Sequence, residues 1–161
     1  EKGSLDGLHV ALVGDLKNGR TVHSLSQALV RWNVSLTLVA PDLLKMPVEV
    51  LEKLRRAGEV GIGETNDLAS ALQEADVAYV TRIQKERFTD VAEYEKLKGA
   101  YCVNRKLIET SKPGLTLMHP LPRVDEIAAD ADDLPNAAYF RQAANGVYAR
   151  MALLAMLTGA I

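Results

Sequence analysis

Two arginines stand in polar segments that directly follow apolar runs of the sequence. Arg20 comes after the apolar run 8–13, and Arg82 comes after the run 77–80. A guanidinium group presents a planar fork of hydrogen-bond donors that matches a carboxylate, and a helix starting near Arg20 adds backbone amides and a positive dipole end. Two such arginines on separate strands are suited to a ligand with two carboxylates.

The segment that contains Arg82 is too charged to continue inside a buried sheet, so we expect it to emerge at the surface. If it leaves the strand extended, side chains at a spacing of two share a side, and Arg82, Gln84 and Glu86 face the same way. Lys85 and Arg87 then face the other way. An arginine flanked by an amide and a carboxylate can be held still while it binds a ligand.

A third polar segment, His119-Pro120-Leu121-Pro122-Arg123, follows the apolar run 115–118. Its two prolines exclude both a helix and a central strand, and they leave a rigid backbone with few donors. The backbone carbonyls of such a segment can accept hydrogen bonds from an amino group. Together with the two arginines, this segment indicates an amino acid that carries extra negative charge.

Other binding motifs fit less well. Residues 14–21 match the phosphate-binding pattern G-x-x-x-x-G-K-[ST], except that Arg20 replaces the lysine and Asp15 would lie among the phosphates. A domain that binds a nucleotide or a sugar through this loop is therefore an alternative hypothesis. The segment 61–63 lacks the third glycine of a dinucleotide fingerprint, and the histidines have no metal-ligand spacing. We expect neither a metal nor a cofactor.

Short apolar runs alternate with helical patterns along the chain. The runs predict strands at 8–13, 34–40, 77–80, 100–103 and 115–118. The alternation predicts an α/β fold with three layers, in which a mostly parallel sheet is flanked by helices. Ligands of such folds bind beyond the carboxyl ends of the strands, so the three polar segments are expected to converge on one crevice.

Helical spacing and capping residues, such as Asn66 or Asp67 and Asn104, predict helices between these strands. Residues 61–64 are expected to form a flexible connection, and the C-terminal helix is expected to be interrupted at Asn145-Gly146. The predicted helices cover 21–32, 47–57, 67–75, 91–98, 104–110 and 139–158.

Composition limits the class of protein. The chain has 161 residues, a net charge of -2 and a pI near 5.9, which give no reason to expect a nucleic acid or an anionic membrane as partner. Its only cysteine, Cys102, excludes an internal disulfide and favours a reducing, cytoplasmic compartment. The sequence begins at Glu1 without an initiator methionine, which suggests an excised piece.

The segment 151–157 is apolar on every side, and a helix without a polar face must be covered all round. We expect a partner or a missing domain to cover it. The whole chain, 1–161, is expected to be one domain. It has an α/β core at about 1–145 and an apolar helix at about 146–161, which packs on that partner or missing domain.

Four long segments closely resemble the aspartate carbamoyltransferase family, in the aspartate-binding half of its catalytic chain. The resemblance covers essentially the whole sequence, and a Rossmann-like fold is implied with it. Ornithine enzymes carry His-Cys-Leu-Pro in the third segment, whereas this chain has Pro120 after His119, which favours aspartate. The matching segments are 14–17 with 19–25, 81–88, 119–127, and 138–142 with 150–155.

The resemblance implies transfer of a carbamoyl group from carbamoyl phosphate to the α-amine of L-aspartate, an early step of pyrimidine synthesis. It assigns the aspartate carboxylates to four side chains and the reacting groups to the backbone of Leu121 and Pro122, with Arg82 counted among the catalytic positioning residues. The four are Arg20, Thr21, Arg82 and Gln84. Glu86 would orient Arg82, Lys17 would help close the first loop, and His119 is a supporting residue.

One departure from the family is large. Its Ser-Thr-Arg-Thr phosphate site does not occur in residues 1–161, so half of the active site is missing. We therefore expect the chain alone to be inactive, and the complete enzyme to be a homotrimer, on its own or fused to other pyrimidine enzymes. A non-catalytic scaffold domain is a further alternative, against which the three crevice residues Arg20, Arg82 and Gln84 count.

Overall fold

The fold is built on a sheet of five parallel strands, in the order β3-β2-β1-β4-β5. The computed structural model describes residues 1–88 and 90–160. The strands are β1 His9–Val13, β2 Ser35–Val39, β3 Ile62–Thr65, β4 Val77–Val80 and β5 Thr116–Met118. The helices are α1 Arg20–Leu29, α2 Val48–Ala57, α3 Leu68–Glu74, α4 Val91–Leu97, α5 Arg105–Glu109 and α6 Tyr139–Thr158. Short 3-10 turns lie at Asp42–Leu44, Lys85–Arg87 and Ala129–Ala131.

Both faces of the sheet carry a hydrophobic core. Along β1, Val10 and Leu12 belong to one core and Ala11 and Val13 to the other, as the two-residue period of a strand requires. The first core is closed by α1 and α2, and the second by α3, α5 and the 3-10 turn Ala129–Ala131. The three-layer α/β prediction is confirmed.

Several helix ends follow the predicted capping chemistry. Asp67 precedes α3 and accepts a hydrogen bond from the backbone N–H of Ser70 at 3.1 Å. Asn104 precedes α5 and accepts one from the N–H of Leu107 at 2.9 Å. A side-chain oxygen at this position satisfies one of the amides that the first helical turn leaves without a partner.

Two strand predictions were wrong. The supposed flexible connection 61–64 is the edge strand β3, because the backbone of β2 supplies its hydrogen bonds: the Leu36 N–H donates to the Gly61 carbonyl at 2.8 Å. The strand predicted at 100–103 is absent from the described structure, where only Val103 forms an isolated bridge, to Ile127. Whether each segment forms a strand depends on hydrogen-bonding partners that are distant in the sequence.

The predicted interruption at Asn145-Gly146 is also wrong, since α6 runs without a break for 20 residues. The Arg150 guanidinium donates to the Gly146 carbonyl at 2.9 Å on the helix surface. The helix begins at Tyr139, before residue 146, where the core was expected to end. Ile161 lies outside the described residues. Within the described residues, none of the helices combines the length and apolar character needed to cross a lipid bilayer.

At Gly14 the end of β1 lies directly against the end of β4. Gly14 has a φ of +113°, and a Cβ there would meet the Thr81 carbonyl oxygen at 2.2 Å. The Thr81 N–H donates to the Val13 carbonyl at 2.8 Å, and the Thr81 hydroxyl donates to the same oxygen at 3.0 Å. Any larger residue at 14 has to separate the two strand ends.

We expect Gly14→Ala to lower the free energy of unfolding by about 3 kcal/mol or more, because the new methyl group overlaps backbone that cannot move alone. Gly114→Ala is the matched control, since Gly114 also has a positive φ of +79° but nothing within 4 Å of a built Cβ. That control is expected to lose about 1–2 kcal/mol from the left-handed backbone. Equal losses in urea denaturation would contradict the close approach.

Candidate functional site

The three polar segments meet at one edge of the sheet. They follow β1, β4 and β5, which are neighbours in the strand order and parallel, so their carboxyl ends point the same way. A small cleft beside these strand ends is lined by Gly14 and Thr81 from the first two segments and by Glu126, which follows the third. The predicted ligand-binding side chains do not line this cleft, so their convergence on one crevice stays a prediction.

The first segment is held rigidly by its own side chains. Asp15 is fully buried, and its carboxylate accepts hydrogen bonds from the Asn18 N–H at 2.9 Å and from the Asn18 side-chain amide at 3.1 Å. The His23 ring lies with Nε2 at 2.8 Å from the Leu16 carbonyl, which can only accept. Lys17 is exposed at the outside of this braced loop.

This arrangement also bears on the phosphate-loop alternative. A phosphate-binding loop leaves its backbone amides pointing at the ligand, whereas here the buried Asp15 carboxylate occupies the Asn18 amide. Arg20 and Thr21 are the first two residues of α1, and both are exposed at the helix start. The charged group at the start of this helix is thus the Arg20 guanidinium.

The second segment differs from the extended chain that we predicted. A 3-10 turn at Lys85–Arg87 ends the extended backbone after Gln84, so side chains no longer alternate beyond that point. As a result, Arg87 lies near Gln84, with Nε at 3.5 Å from the Gln84 side-chain oxygen. The turn still brings Glu86 to Arg82, whose Nη2 donates to Oε1 at 2.5 Å.

The Arg82–Glu86 pair is solvent-accessible, with exposed side-chain fractions of 37% and 54%. The pKa of the Glu86 carboxyl is held below its ordinary value, first by a hydrogen bond from its own backbone amide and then, against burial, by the Arg82 guanidinium. Glu86 consequently stays ionised near neutral pH. It engages one nitrogen of the Arg82 guanidinium, Nη2.

The third segment contains a buried polar pair. His119 and Glu126 are 1% and 5% exposed, and Nε2 of His119 lies 2.7 Å from Oε1 of Glu126. Nδ1 of His119 accepts the Leu121 N–H at 2.8 Å. Leu121 has a φ of +50° and is joined to Pro122 by a cis peptide bond. Leu121 is half-buried and Pro122 is exposed at the mouth of the segment.

Burial alone would raise the pKa of the Glu126 carboxyl, but hydrogen bonds from His119 and from the backbone amides of Glu126 and Val124 outweigh it, and the pKa lies below its ordinary value. A carboxylate with a depressed folded pKa stabilises the protein above its unfolded pKa and loses that contribution as the pH falls. Glu126 is thus a charged acceptor at neutral pH.

A cluster that the sequence did not reveal anchors the third segment to α6. Arg123 binds both carboxylate oxygens of Asp132, with Nη2 at 2.6 Å from Oδ2, and its Nη1 also lies 3.1 Å from the Tyr139 hydroxyl. The Tyr139 hydroxyl donates to Asp132 as well. Nothing in the sequence spacing links these residues, because they meet only when residues 124–138 fold back on themselves.

A broad groove lies beside Thr21 on the face of β1, β4 and β5. Its volume is about 790 Å³, and Tyr79, Met118 and Gln142 are among the residues that line it. The surface of the groove is mostly apolar. Within residues 1–88 and 90–160, no cluster of three or more His, Cys, Asp or Glu side chains is arranged to hold a metal ion.

Residues 6–157 match the family model described as "Aspartate/ornithine carbamoyltransferase, Asp/Orn binding domain". The chain belongs to this family. It is 54% identical over 159 residues to the aspartate carbamoyltransferase catalytic subunit of Thermococcus gammatolerans, covering 99% of this chain and 51% of that protein.

Solved structures of the carbamoyltransferase family share the fold. The catalytic subunit of M. jannaschii aspartate transcarbamoylase superposes with a TM-score of 0.90 at 47% identity, over 99% of this chain and 52% of that one. The Trypanosoma cruzi enzyme in complex with N-(phosphonacetyl)-L-aspartic acid gives 0.88 at 45% identity, over 96% and 50%. The chain therefore spans about half the length of the relatives it matches.

The Tyr139 cluster makes a prediction about alkaline titration. Burial and then the hydrogen bond to Asp132 raise the pKa of Tyr139 from 10.0 to about 12. Because the folded pKa is raised, Tyr139 makes its full contribution to the free energy of unfolding below about pH 10. That contribution disappears as the pH rises through about 12.

We expect the phenolate absorbance of the wild type and of Tyr139→Phe to coincide up to about pH 11 and to separate above it. In denaturant, the wild type should gain more phenolate absorbance than Tyr139→Phe near pH 10, because the unfolded Tyr139 titrates as a free tyrosine does. If the folded variant lost absorbance near pH 10, the hydrogen bond to Asp132 would be absent in solution.

Proposed function

We propose that this chain is the L-aspartate-binding half of an aspartate carbamoyltransferase. Membership of the Asp/Orn-binding family over residues 6–157 is the observation that carries the proposal. The relatives named above are aspartate carbamoyltransferase catalytic subunits, and the three converging segments offer the chemistry that an acidic amino acid needs. The reaction is transfer of the carbamoyl group of carbamoyl phosphate to the α-amine of aspartate.

The two carboxylates of aspartate are bound by side chains of the first two segments in this proposal. Arg20 and Thr21 act from the start of α1, where the helix amides and dipole favour an anion. Arg82 and Gln84 act from the segment after β4, and Glu86 holds the guanidinium in place. Hydrogen bonds between a guanidinium and a carboxylate are shorter and stronger than those between neutral groups, which suits a substrate with two carboxylates.

The α-amine is received by the third segment. No donor among residues 1–88 and 90–160 is bonded to the Leu121 carbonyl, so this oxygen can accept a hydrogen bond from the amine. Leu121 and Pro122 also shape the wall beside the carbamoyl carbon. In the reaction the neutral amine nitrogen forms a bond to that carbon, the bond from the carbon to the phosphate oxygen breaks, and phosphate leaves while the amine loses a proton.

Positioning accounts for most of the catalysis in this scheme. No covalent bond to the protein is required, because a correctly oriented amine attacks the carbamoyl carbon directly. Arg82 is catalytic in the sense that it fixes the substrate for attack. Stabilisation of negative charge on the carbamoyl oxygen, and binding of phosphate, belong to groups in the other half of the enzyme.

Two apolar surfaces of this chain are available to bind the other half of the enzyme. The outer part of α6 exposes large apolar side chains, and the apolar groove of about 790 Å³ opens beside Thr21 and Gln142. Exposed apolar area of this extent is typical of an interface. We propose that the carbamoyl-phosphate domain covers both surfaces. The exposed side chains of α6 are Phe140, Val147, Tyr148, Met151, Leu153, Leu154, Met156 and Leu157.

The proposal extends to the whole enzyme. We propose a homotrimer with a role in pyrimidine synthesis, free-standing or fused to other enzymes of that synthesis, in the cytoplasm and without a nucleic acid or membrane partner. The exposed thiol of Cys102 suits a reducing compartment. The net charge of -2 offers no general attraction to polyanions.

Arg82→Ala in the complete enzyme is expected to raise the KM for aspartate by about 10- to 100-fold, because a charge-assisted contact to substrate is lost. Arg56→Ala is the matched control: Arg56 is an exposed helix arginine paired with Glu52 at 3.2 Å and should leave the KM unchanged. Steady-state rates against aspartate concentration measure both. An unaltered aspartate dependence in the Arg82 variant would refute its role.

The purified 161-residue chain is expected to form no carbamoylaspartate above the uncatalysed rate, since it supplies only the aspartate side of the site. Addition of the separately produced carbamoyl-phosphate domain should restore turnover and tight binding of N-(phosphonacetyl)-L-aspartate. The complete enzyme, at the same concentration of sites, is the positive control. Turnover by the chain alone would contradict the proposal that it supplies only the aspartate side of the active site.

A further inference from the structure

Leu121 has a backbone conformation that its side chain disfavours. Its φ of +50° lies in the left-handed region, where a Cβ crowds the following carbonyl. Surrounding bonds therefore have to hold it there. Its side chain packs against the core formed by α3, α5 and β5, and its N–H donates to Nδ1 of His119 at 2.8 Å.

This hydrogen bond determines where His119 carries its proton. A backbone N–H can only donate, so Nδ1 must be the unprotonated, accepting nitrogen. Nε2 then carries the proton and donates to Oε1 of Glu126 at 2.7 Å. The pair is consequently a neutral imidazole bound to a carboxylate. A proton on Nδ1 would put two donors face to face at the Leu121 amide.

Glu126 is itself fixed by backbone amides. Its carboxylate accepts the N–H groups of Val124 at 3.2 Å and Asp125 at 3.2 Å, in addition to His119. The backbone N–H of His119 donates to the Gln142 side chain on α6 at 3.1 Å. Glu126 and the backbone of His119 are thus both anchored, which leaves the ring one orientation and one tautomer.

We propose that His119 and Glu126 are positioning residues for the third segment. Glu126 selects the tautomer with the proton on Nε2, and the free Nδ1 holds the Leu121 amide in its left-handed conformation. The carbonyl of Leu121 is thereby aimed into the site where the amine of the substrate has to be received. The consequence for catalysis rests on the proposed function, whereas the tautomer does not.

The tautomer can be observed directly. The chain contains three histidines, so long-range 15N–1H spectra of the 15N-histidine-labelled chain can be assigned with His9→Gln and His23→Gln variants. We expect His119 to show an unprotonated Nδ1 and a protonated Nε2 at neutral pH. A proton on Nδ1, or on both nitrogens, would overturn the proposal.

Two amide substitutions separate the two bonds of the ring. An asparagine oxygen can take the place of Nδ1 and a glutamine nitrogen the place of Nε2. In the complete enzyme, His119→Asn should keep the Leu121 contact but lose the Glu126 contact, so kcat should fall by no more than about 10-fold. His119→Gln should keep the Glu126 contact but lower kcat by about 100-fold. The KM for aspartate should change less, because Arg82 still binds the substrate.

Thermal unfolding of both variants shows whether a loss of rate reflects misfolding. Equal losses of kcat in the two folded variants, or a loss confined to the asparagine variant, would overturn the positioning role. An inactive wild-type complete enzyme would instead overturn the proposed function. The spectroscopic result on His119 would be unaffected by that failure, so the two failures are distinguishable.

Discussion

The backbones of β1 and β4 meet at Gly14, and the site is assembled around this contact. The Thr81 amide and hydroxyl both bind the Val13 carbonyl, which leaves no room for a side chain at Gly14. The loop that leads to Arg20 and the loop that carries Arg82 therefore start from adjoining points. Neither loop could be displaced by much without breaking the hydrogen bonds that end the two strands.

Several charged groups near the site are held by a neighbour of opposite or complementary character. Glu86 holds Arg82, and the buried carboxylate of Asp15 is satisfied by Asn18. Asp132 binds Arg123 at the far end of the third segment. A protein that binds a doubly charged ligand must keep its own cations apart and oriented before the ligand arrives, because reorganisation at the moment of binding weakens both affinity and rate.

Local chemistry was readable from the sequence, and long-range geometry was not. The parallel sheet, the capping residues Asp67 and Asn104 and the convergence of three polar segments all follow from patterns of a few residues. The edge strand at 62–65 has one apolar residue and owes its existence to β2, so no local pattern announced it. The Arg123–Tyr139 cluster likewise depends on how a 15-residue stretch folds back on itself.

The uninterrupted helix α6 has a mechanical consequence. Its 20 residues extend for about 30 Å, and only Tyr139, at its root, is fully buried. Tyr139 and Gln142 at that root bond to Arg123 and to the amide of His119. These bonds connect the start of the helix to the third segment, so a tilt imposed on its exposed end by a neighbouring domain would also move the backbone of residues 119–123.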